Sequence, residues 1–471
     1  MKQLSGLDAS FLYLESANTP MHLGGVYLFS QESPDKPFSY SAFREYVNER
    51  LHLTPVFRRR LVEQPLNLGY PWWVEDPDFA LDYHLNYVSA PRPGDWDALM
   101  ELSARILSRP LDRNRPLWRL VVVDGLDGIE EIPKGSFALI SLVHHAAIDG
   151  ISGAEIMGAL FDNTEEPRNV PPPLKPWKGE RIPSGPELIA RSTGNALMTP
   201  FKLVKFMAMN SLIALDSAAE VIKHRIAPPP LPFSAPRVHF NARVGARRIF
   251  RGMDVNLEDV KSIKNNADVK VNDVMLAICA GGLRHYLIER NELPHQSLAA
   301  LVPVSIHKPG EAGSGNHITG MPVALGTDIA DSTTRLEAIH ESANASKVYI
   351  RSISASDLME FVPSQLAALA GRLYTRMHVD DFLEHPPFNL VITNIPGPPE
   401  PLFLNGARLL HTYGMAPLID GLGLLIVIFS QAGNVSIGAI ADRQLMPDLD
   451  VLMEGMKIAW EELLSGVESG E

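Results

Sequence analysis

A chain of 471 residues exceeds one ordinary domain and predicts two. Its 45% apolar share supplies two cores, while a net charge of −13 leaves no basic excess to neutralise phosphates and excludes a nucleic-acid partner as an expectation. Cys279 is the one cysteine, so no internal disulfide can form. The residues from Met1 to Asp8 have no apolar core and carry an early acid, so no secretory leader is expected and the chain reads as cytoplasmic.

The first region, residues 1–164, alternates strands and helices. A strand is expected over 22–29 and a helix over 38–51, with Phe43, Val47 and Leu51 at helical spacing. Arg58-Arg59-Arg60 follows, a basic run that suits the phosphates of a ligand or anionic lipid, or simply a solvated face. A second helix covers 96–107, with Leu99, Leu102, Ile106 and Leu107 on one side, and Pro110 stops it. Strands are expected over 119–124 and 137–141, the latter running into Leu142-Val143-His144-His145. A helix start at 151–157 completes a mixed α/β pattern.

Residues 165–236 change character. Pro167, Pro171, Pro172, Pro173, Pro176, Pro183 and Pro186 exclude helix or central strand, so a surface linker is expected. A helical connector follows over 187–224, before a second proline cluster at Pro228-Pro229-Pro230. Val204, Ala208, Leu212, Leu215, Ala219 and Ile222 give it an apolar face flanked by Lys202, Lys205 and Lys223. Such a face suits docking on a membrane surface or packing across two domains.

The second domain is expected over 237–471. It opens on a strand at 248–250 and a long helix over 271–290. Strands over 298–304 and 320–325 and helices over 333–348 and 358–377 follow. Asn405-Gly406 is a hairpin turn dipeptide. The uncharged stretch 421–441 is long enough to raise a membrane span, but Ser430 to Asn434 interrupts it as a turn, so a hairpin pairing 424–429 with 435–440 is preferred. His317 and His411 have no partner at ligand spacing and read as structural.

Chemistry concentrates at the end of the 137–141 strand. His144 and His145 sit at a strand-to-helix junction, followed by Asp149 and Gly150. Strand ends in α/β architectures are where catalytic groups are displayed. Imidazole titrates nearest neutrality, so one of the pair can take a proton from a hydroxyl and return it to a leaving group. Ala146 and Ala147 leave room beside it, and Gly150 permits close backbone approach. Two other readings stay open on these residues alone: His144, His145 and Asp149 as ligands of zinc or iron, or two hydrogen-bonded core histidines with Asp149 as a helix cap.

The run His144-His145-Ala146-Ala147-Ile148-Asp149-Gly150 resembles the active-site signature of the bacterial bifunctional wax ester synthase/acyl-CoA:diacylglycerol acyltransferase family. That family is grouped with chloramphenicol acetyltransferase and peptide-synthetase condensation domains. Further matches are Asp8-Ala9-Ser10-Phe11-Leu12, Pro20-Met21-His22, Arg115-Pro116-Leu117-Trp118, Val271-Asn272-Asp273-Val274 and Thr393-Asn394-Ile395-Pro396-Gly397-Pro398. Thr393 stands where many relatives carry serine, and both present a hydroxyl.

The resemblance implies two chloramphenicol acetyltransferase-like domains with the active site at their interface. It implies His145 as general base, His144 as its accessory, and Asp149 and Gly150 as residues that shape the loop. Asn272, Thr393 and Asn394 are implied substrate contacts, Asn272 also as an oxyanion donor. Asp273 is implied to hold local structure. Trp118 is expected to pack, with Pro116 and Leu117 at the pocket edge. The implied reaction moves a long-chain acyl group from acyl-CoA, a co-substrate, to a fatty alcohol or diacylglycerol, with no metal and no other cofactor. Lipid substrates suggest peripheral residence on the inner membrane or lipid inclusions. Alternatives are a relative using another thioester donor, such as a carrier protein, or another acceptor; a metal-dependent hydrolase; and a catalytically silent lipid-droplet-binding protein.

Overall fold

Apolar strands and short capped helices assemble into three sheets in a computed structural model. It describes residues 1–30, 38–65, 69–148, 152–190, 230, 233–306, 317–350, 369 and 384–468. The chain begins with β1 (Lys2–Gln3), α1 (Gly6–Leu14), β2 (His22–Ser30) and α2 (Tyr40–Arg50). Next come β3 (Arg59–Val62), β4 (Trp72–Glu75), α3 (Leu81–His84), β5 (Leu85–Ser89) and α4 (Trp96–Leu107). Then β6 (Trp118–Asp124) and β7 (Phe137–His144) lead to α5 (Ser152–Leu160). The C-terminal part holds β8 (Arg248–Asn256), α6 (Leu257–Asn266), α7 (Val271–Glu289), β9 (Ala299–Ile306), β10 (His317–Ala324) and α8 (Ser332–Ile350). It closes with β11 (Leu390–Pro396), β12 (Phe403–Leu404), β13 (Ala407–Met415), β14 (Leu424–Gln431), β15 (Asn434–Asp442) and α9 (Leu449–Glu468).

Local chemistry explains the main boundaries. Ser5, Ser39 and Asp95 cap α1, α2 and α4 by accepting the N–H groups of Asp8, Ala42 and Ala98. Helix α4 spans the expected residues and buries Leu99 and Leu107, with Leu102 and Ile106 packed at the margin. Strand β7 is buried along its whole length because β2 and β6 flank it and both of its faces are covered. The apolar run of 424–441 is the hairpin of β14 and β15, turning at Ala432-Gly433 with positive φ at both residues. Among the described residues no helix is long and apolar enough to cross a membrane.

The first large sheet has the order β12-β13-β2-β7-β6-β5, and the second β10-β9-β11-β14-β15-β8. The hairpin turned by Asn405-Gly406 therefore leaves the C-terminal sheet and pairs along β2. The two sheets approach closely where β13 crosses β14 and β15. A Cβ on Gly414 would fall 2.2 Å from Val427, and one on Gly438 would fall 2.8 Å from the Gly414 carbonyl. A polar contact fastens the same junction: Asp254 Oδ2 accepts from Tyr413 at 2.7 Å and pairs with His411 at 2.8 Å. His411 is structural, as expected, but it has a buried-side partner that spacing alone did not reveal. One apolar cluster spans the junction, holding Ala146 of the histidine loop together with Leu425 and Val427 of β14.

The proline-rich linker runs exposed across β4, where Trp177 donates to Glu75 at 2.9 Å. The basic run lies beneath it and is internally paired. Arg59 meets Glu75 at 2.8 Å, Arg60 stands 3.8 Å from Asp76, and Arg58 lies over the Trp177 ring. The apolar face expected at 204–222 falls outside the described residues, as does the helix expected over 358–377 except for the helical residue 369.

Candidate active site

Strand β7 delivers both histidines. Its last pair in register sets His144 opposite His22 of β2, and a single 3-10 turn over His145–Ala147 then bends the chain away. Main-chain bonds hold the bend on both sides: His144 N–H donates to the Leu117 carbonyl at 2.9 Å, and His145 N–H to the Met21 carbonyl at 2.8 Å. Three separate stretches of chain thus fix where the imidazoles begin.

His144 is fully buried. Its Nδ1 accepts the Ala146 N–H at 3.0 Å, which leaves Nε2 as the donor of the ring. That nitrogen faces Glu15, 3.4 Å from Oε1, in a contact whose geometry falls short of a hydrogen bond. Glu15 also accepts from Arg113 Nε at 2.7 Å and from the Met21 N–H at 3.3 Å. Burial would raise the Glu15 carboxyl, but His144 and then Arg113 outweigh it and hold it at about 2. The result is an ionised carboxylate enclosed behind the histidine strand.

His145 is held differently. Its ring stacks on Phe11 of α1, with centroids 3.6 Å apart and planes 15° from parallel. Its Nδ1 is buried without a hydrogen-bond partner among the described residues. Burial pushes the imidazole down to about 4, its own carbonyl offsets part of this, and His144 adds to it. Behind the pair, His22 is likewise brought to about 4 by burial, with Nε2 2.6 Å from the Leu107 carbonyl. The ring of His145 is therefore neutral across the physiological range.

The second polar group lies on the other sheet. Asn272 occupies the first turn of α7, and its Oδ1 accepts from Asn394 Nδ2 of β11 at 3.2 Å. Among the described residues the amide nitrogen of Asn272 has no hydrogen-bond acceptor. Thr393 is not part of this pair. Ile392 packs in the core beneath α7 while Val391 packs on the cluster that contains Ala146, so strand alternation turns Thr393 toward the histidine side. Asp273 is 1% exposed and holds local structure, accepting the Lys270 N–H at 3.1 Å and pairing with His340 at 2.6 Å. Among the described residues no hydrogen bond joins the asparagine pair to either histidine. Asp149 and Gly150 lie outside the described residues.

The catalytic-domain model of the wax ester synthase/diacylglycerol acyltransferase family matches residues 4–275, and its C-terminal-domain model matches 314–464. The chain belongs to that family. A probable diacylglycerol O-acyltransferase of Mycobacterium tuberculosis is 33% identical over 465 residues, with 98% of each chain covered. The wax ester synthase/diacylglycerol acyltransferase from Marinobacter aquaeolei is 26% identical, covers 99% of this chain and 100% of its own, and superposes with a TM-score of 0.70. A starter condensation domain of rhizomide synthetase shares the fold alone, at 10% identity and a TM-score of 0.55 over 99% of this chain and 94% of its own. The two-domain mixed α/β architecture and the acyltransferase assignment expected from the motifs both stand.

Several residues packed around the two histidines carry no motif of their own. Glu15 and Arg113 are about a hundred residues apart and carry no motif; the only local hint is a lone acid just after the apolar α1. Phe11 lay within a matching stretch, and its stacking on His145 gives that stretch a physical reason. Pro116 and Leu117 are buried, and Leu117 acts through its carbonyl on His144. Trp118 packs as expected, its Nε1 donating to Phe57 at 2.9 Å and its ring stacked on His84. The Asn394–Pro398 segment docks on the β14–β15 hairpin, where Gly397 N–H donates to Ser430 at 2.7 Å. Cys279 is a core residue, with burial lifting its thiol to about 12.

Proposed function

We propose that the protein transfers a long-chain acyl group from acyl-CoA to a fatty alcohol or diacylglycerol, with His145 as general base. The observation that carries this reading is the neutral imidazole clamped on Phe11 at the end of β7. With Nδ1 turned into the protein, Nε2 offers its lone pair. It takes the hydroxyl proton of the acceptor as the oxygen attacks the thioester carbon. Asn272 donates to the resulting oxyanion, collapse expels the CoA thiolate, and the imidazolium returns the proton to that sulfur. The sequence is balanced without a covalent enzyme intermediate and draws on no metal or further cofactor.

The buried Glu15 carboxylate fits as a support. It holds His144 and the Met21 main chain, and Met21 in turn anchors His145. Because both acceptors are lipids, we place the protein peripherally on a membrane or lipid-inclusion surface. The test is palmitoyl-CoA with hexadecanol or a diacylglycerol, run on the wild type and on His145→Ala. General-base loss predicts a fall in kcat of roughly 10²–10⁴-fold with unchanged thermal unfolding. Full activity in a folded His145→Ala protein sinks the mechanism, and loss of activity on chelation would point to a metal enzyme instead.

A further inference from the structure

Helix α7 starts on a residue that cannot cap it by the usual means. Lys270, at the N-cap, has no side-chain oxygen to accept the first free N–H groups. Asp273 reaches back instead, its Oδ2 accepting the Lys270 N–H at 3.1 Å. This carboxylate is buried, and its Oδ1 has no partner among the described residues. A buried carboxylate so sparsely satisfied needs another donor. It comes from α8, where His340 Nδ1 lies 2.6 Å from the same Oδ2.

The direction of each bond follows from Lys270. An ammonium can only donate, and its Nζ sits 2.8 Å from Asn344 Oδ1. The Asn344 amide nitrogen then faces His340 Nε2 at 2.8 Å and must donate to it. Nε2 is therefore an acceptor, Nδ1 carries the proton, and that proton goes to Asp273. Four hydrogen bonds close a ring in which Lys270 donates at both ends, from Nζ to Asn344 and from its main-chain N–H to Asp273, while Asn344 donates to His340 and His340 to Asp273. It ties the first turn of α7 to the middle of α8.

Asn272 sits inside that turn, between two members of the ring, and presents its carbonyl to Asn394. We propose that His340 is a positioning residue for acyl transfer: through Asp273 it fixes where α7 begins and so where the Asn272 amide points. The inference rests on the reading of Asn272 as a donor to substrate or oxyanion. A displacement of about 1 Å at such a donor costs on the order of 10²-fold in rate, so a residue with no contact to substrate can still govern kcat.

The test uses the full chain with palmitoyl-CoA and hexadecanol. His340→Leu is expected to lower kcat by roughly 10- to 100-fold with little change in the KM for acyl-CoA. His340→Asn, whose amide can still donate to Asp273, is expected to recover most of the loss. In an Asn272→Ala background the same His340→Leu change is expected to have little further effect, because both act on one donor. Equal losses in both backgrounds, or a lowered melting temperature with unchanged kcat, overturn the inference. Should His340→Leu fail to fold, Asn344→Leu, which withdraws support from Nε2, puts the same question and predicts a smaller, equally non-additive loss. If Asn272→Ala keeps full activity, the role of Asn272 falls and this inference with it. If Asn272→Ala is impaired and His340→Leu is not, only the inference falls.

Discussion

The histidine end and the asparagine end of the site are built on opposite principles. Around His144 and His145 the polar groups are titratable and enclosed: Glu15 is ionised behind the strand, Arg113 faces it, and burial keeps His22 and His145 neutral. Around Asn272 the groups nearest the proposed reacting atoms are amides, and the charged members, Asp273 and Lys270, stand one step back in a hydrogen-bond ring. The first end can change its proton count during a reaction. The second can only offer fixed dipoles, which cost no reorganisation when charge develops. The proposed mechanism divides proton transfer and oxyanion stabilisation between these two ends, and the cluster shared by Ala146, Leu425 and Val427 joins the two sheets beside them.

This contrast predicts unequal consequences. His145→Ala removes the proposed general base and should cost the most. Asn272→Ala removes a donor and should lower kcat by roughly 10²-fold while leaving the pH profile unchanged. An Asn272→Ala enzyme with a shifted profile would show that the two ends are not chemically separate. Glu15→Gln comes next. It keeps the shape but removes the charge facing His144 and Arg113, and a loss of roughly 10-fold in kcat, with lowered stability from the unbalanced Arg113, is expected. Unchanged kcat at full stability would reduce Glu15 to a bystander.

Periodicity and turn chemistry made most of the scaffold legible. The bounds of α4, the extent of α7 and the two hairpins follow from local pattern, because caps, apolar stripes and positive-φ turns are local causes. What the pattern could not carry was the destination of a hairpin. Nothing in the pattern of β13 says that, besides its hairpin partner β12, it pairs with β2, nearly four hundred residues earlier. The site divides the same way. His144 and His145 announce themselves by adjacency at a strand end. Glu15, Arg113 and His340 meet their partners only through the fold, across long separations in sequence, and a single chain offers no signal for that. The local structural role that the resemblance implies for Asp273 has its physical reason in the ring through His340.

The smallest effect expected on turnover is none, and it separates a buried base from an ordinary one. His145 in the fold titrates near 4 because burial disfavours the imidazolium, against about 6.5 in the unfolded chain. The free enzyme should therefore show a flat kcat/KM from pH 8 down to about 5.5, where an exposed histidine base would already have lost most of its activity. Stability must behave differently over the same interval. His22, His84 and His145 are all held near 4 by burial, so between 6.5 and 4 the unfolded chain binds more protons than the folded one. Stability from these groups is complete above 6.5 and drains away as pH falls toward 4, with roughly two to three protons taken up on unfolding near pH 5. Glu15 does not contribute to this first loss. Its carboxyl is depressed to about 2, so its share persists until the pH passes below 4.5. Urea midpoints at pH 7, 6 and 5, measured beside kcat/KM on the same samples, should fall steadily while activity stays level. A decline in kcat/KM centred near 6.5 would place His145 in water and remove the ground for treating its burial as part of the mechanism.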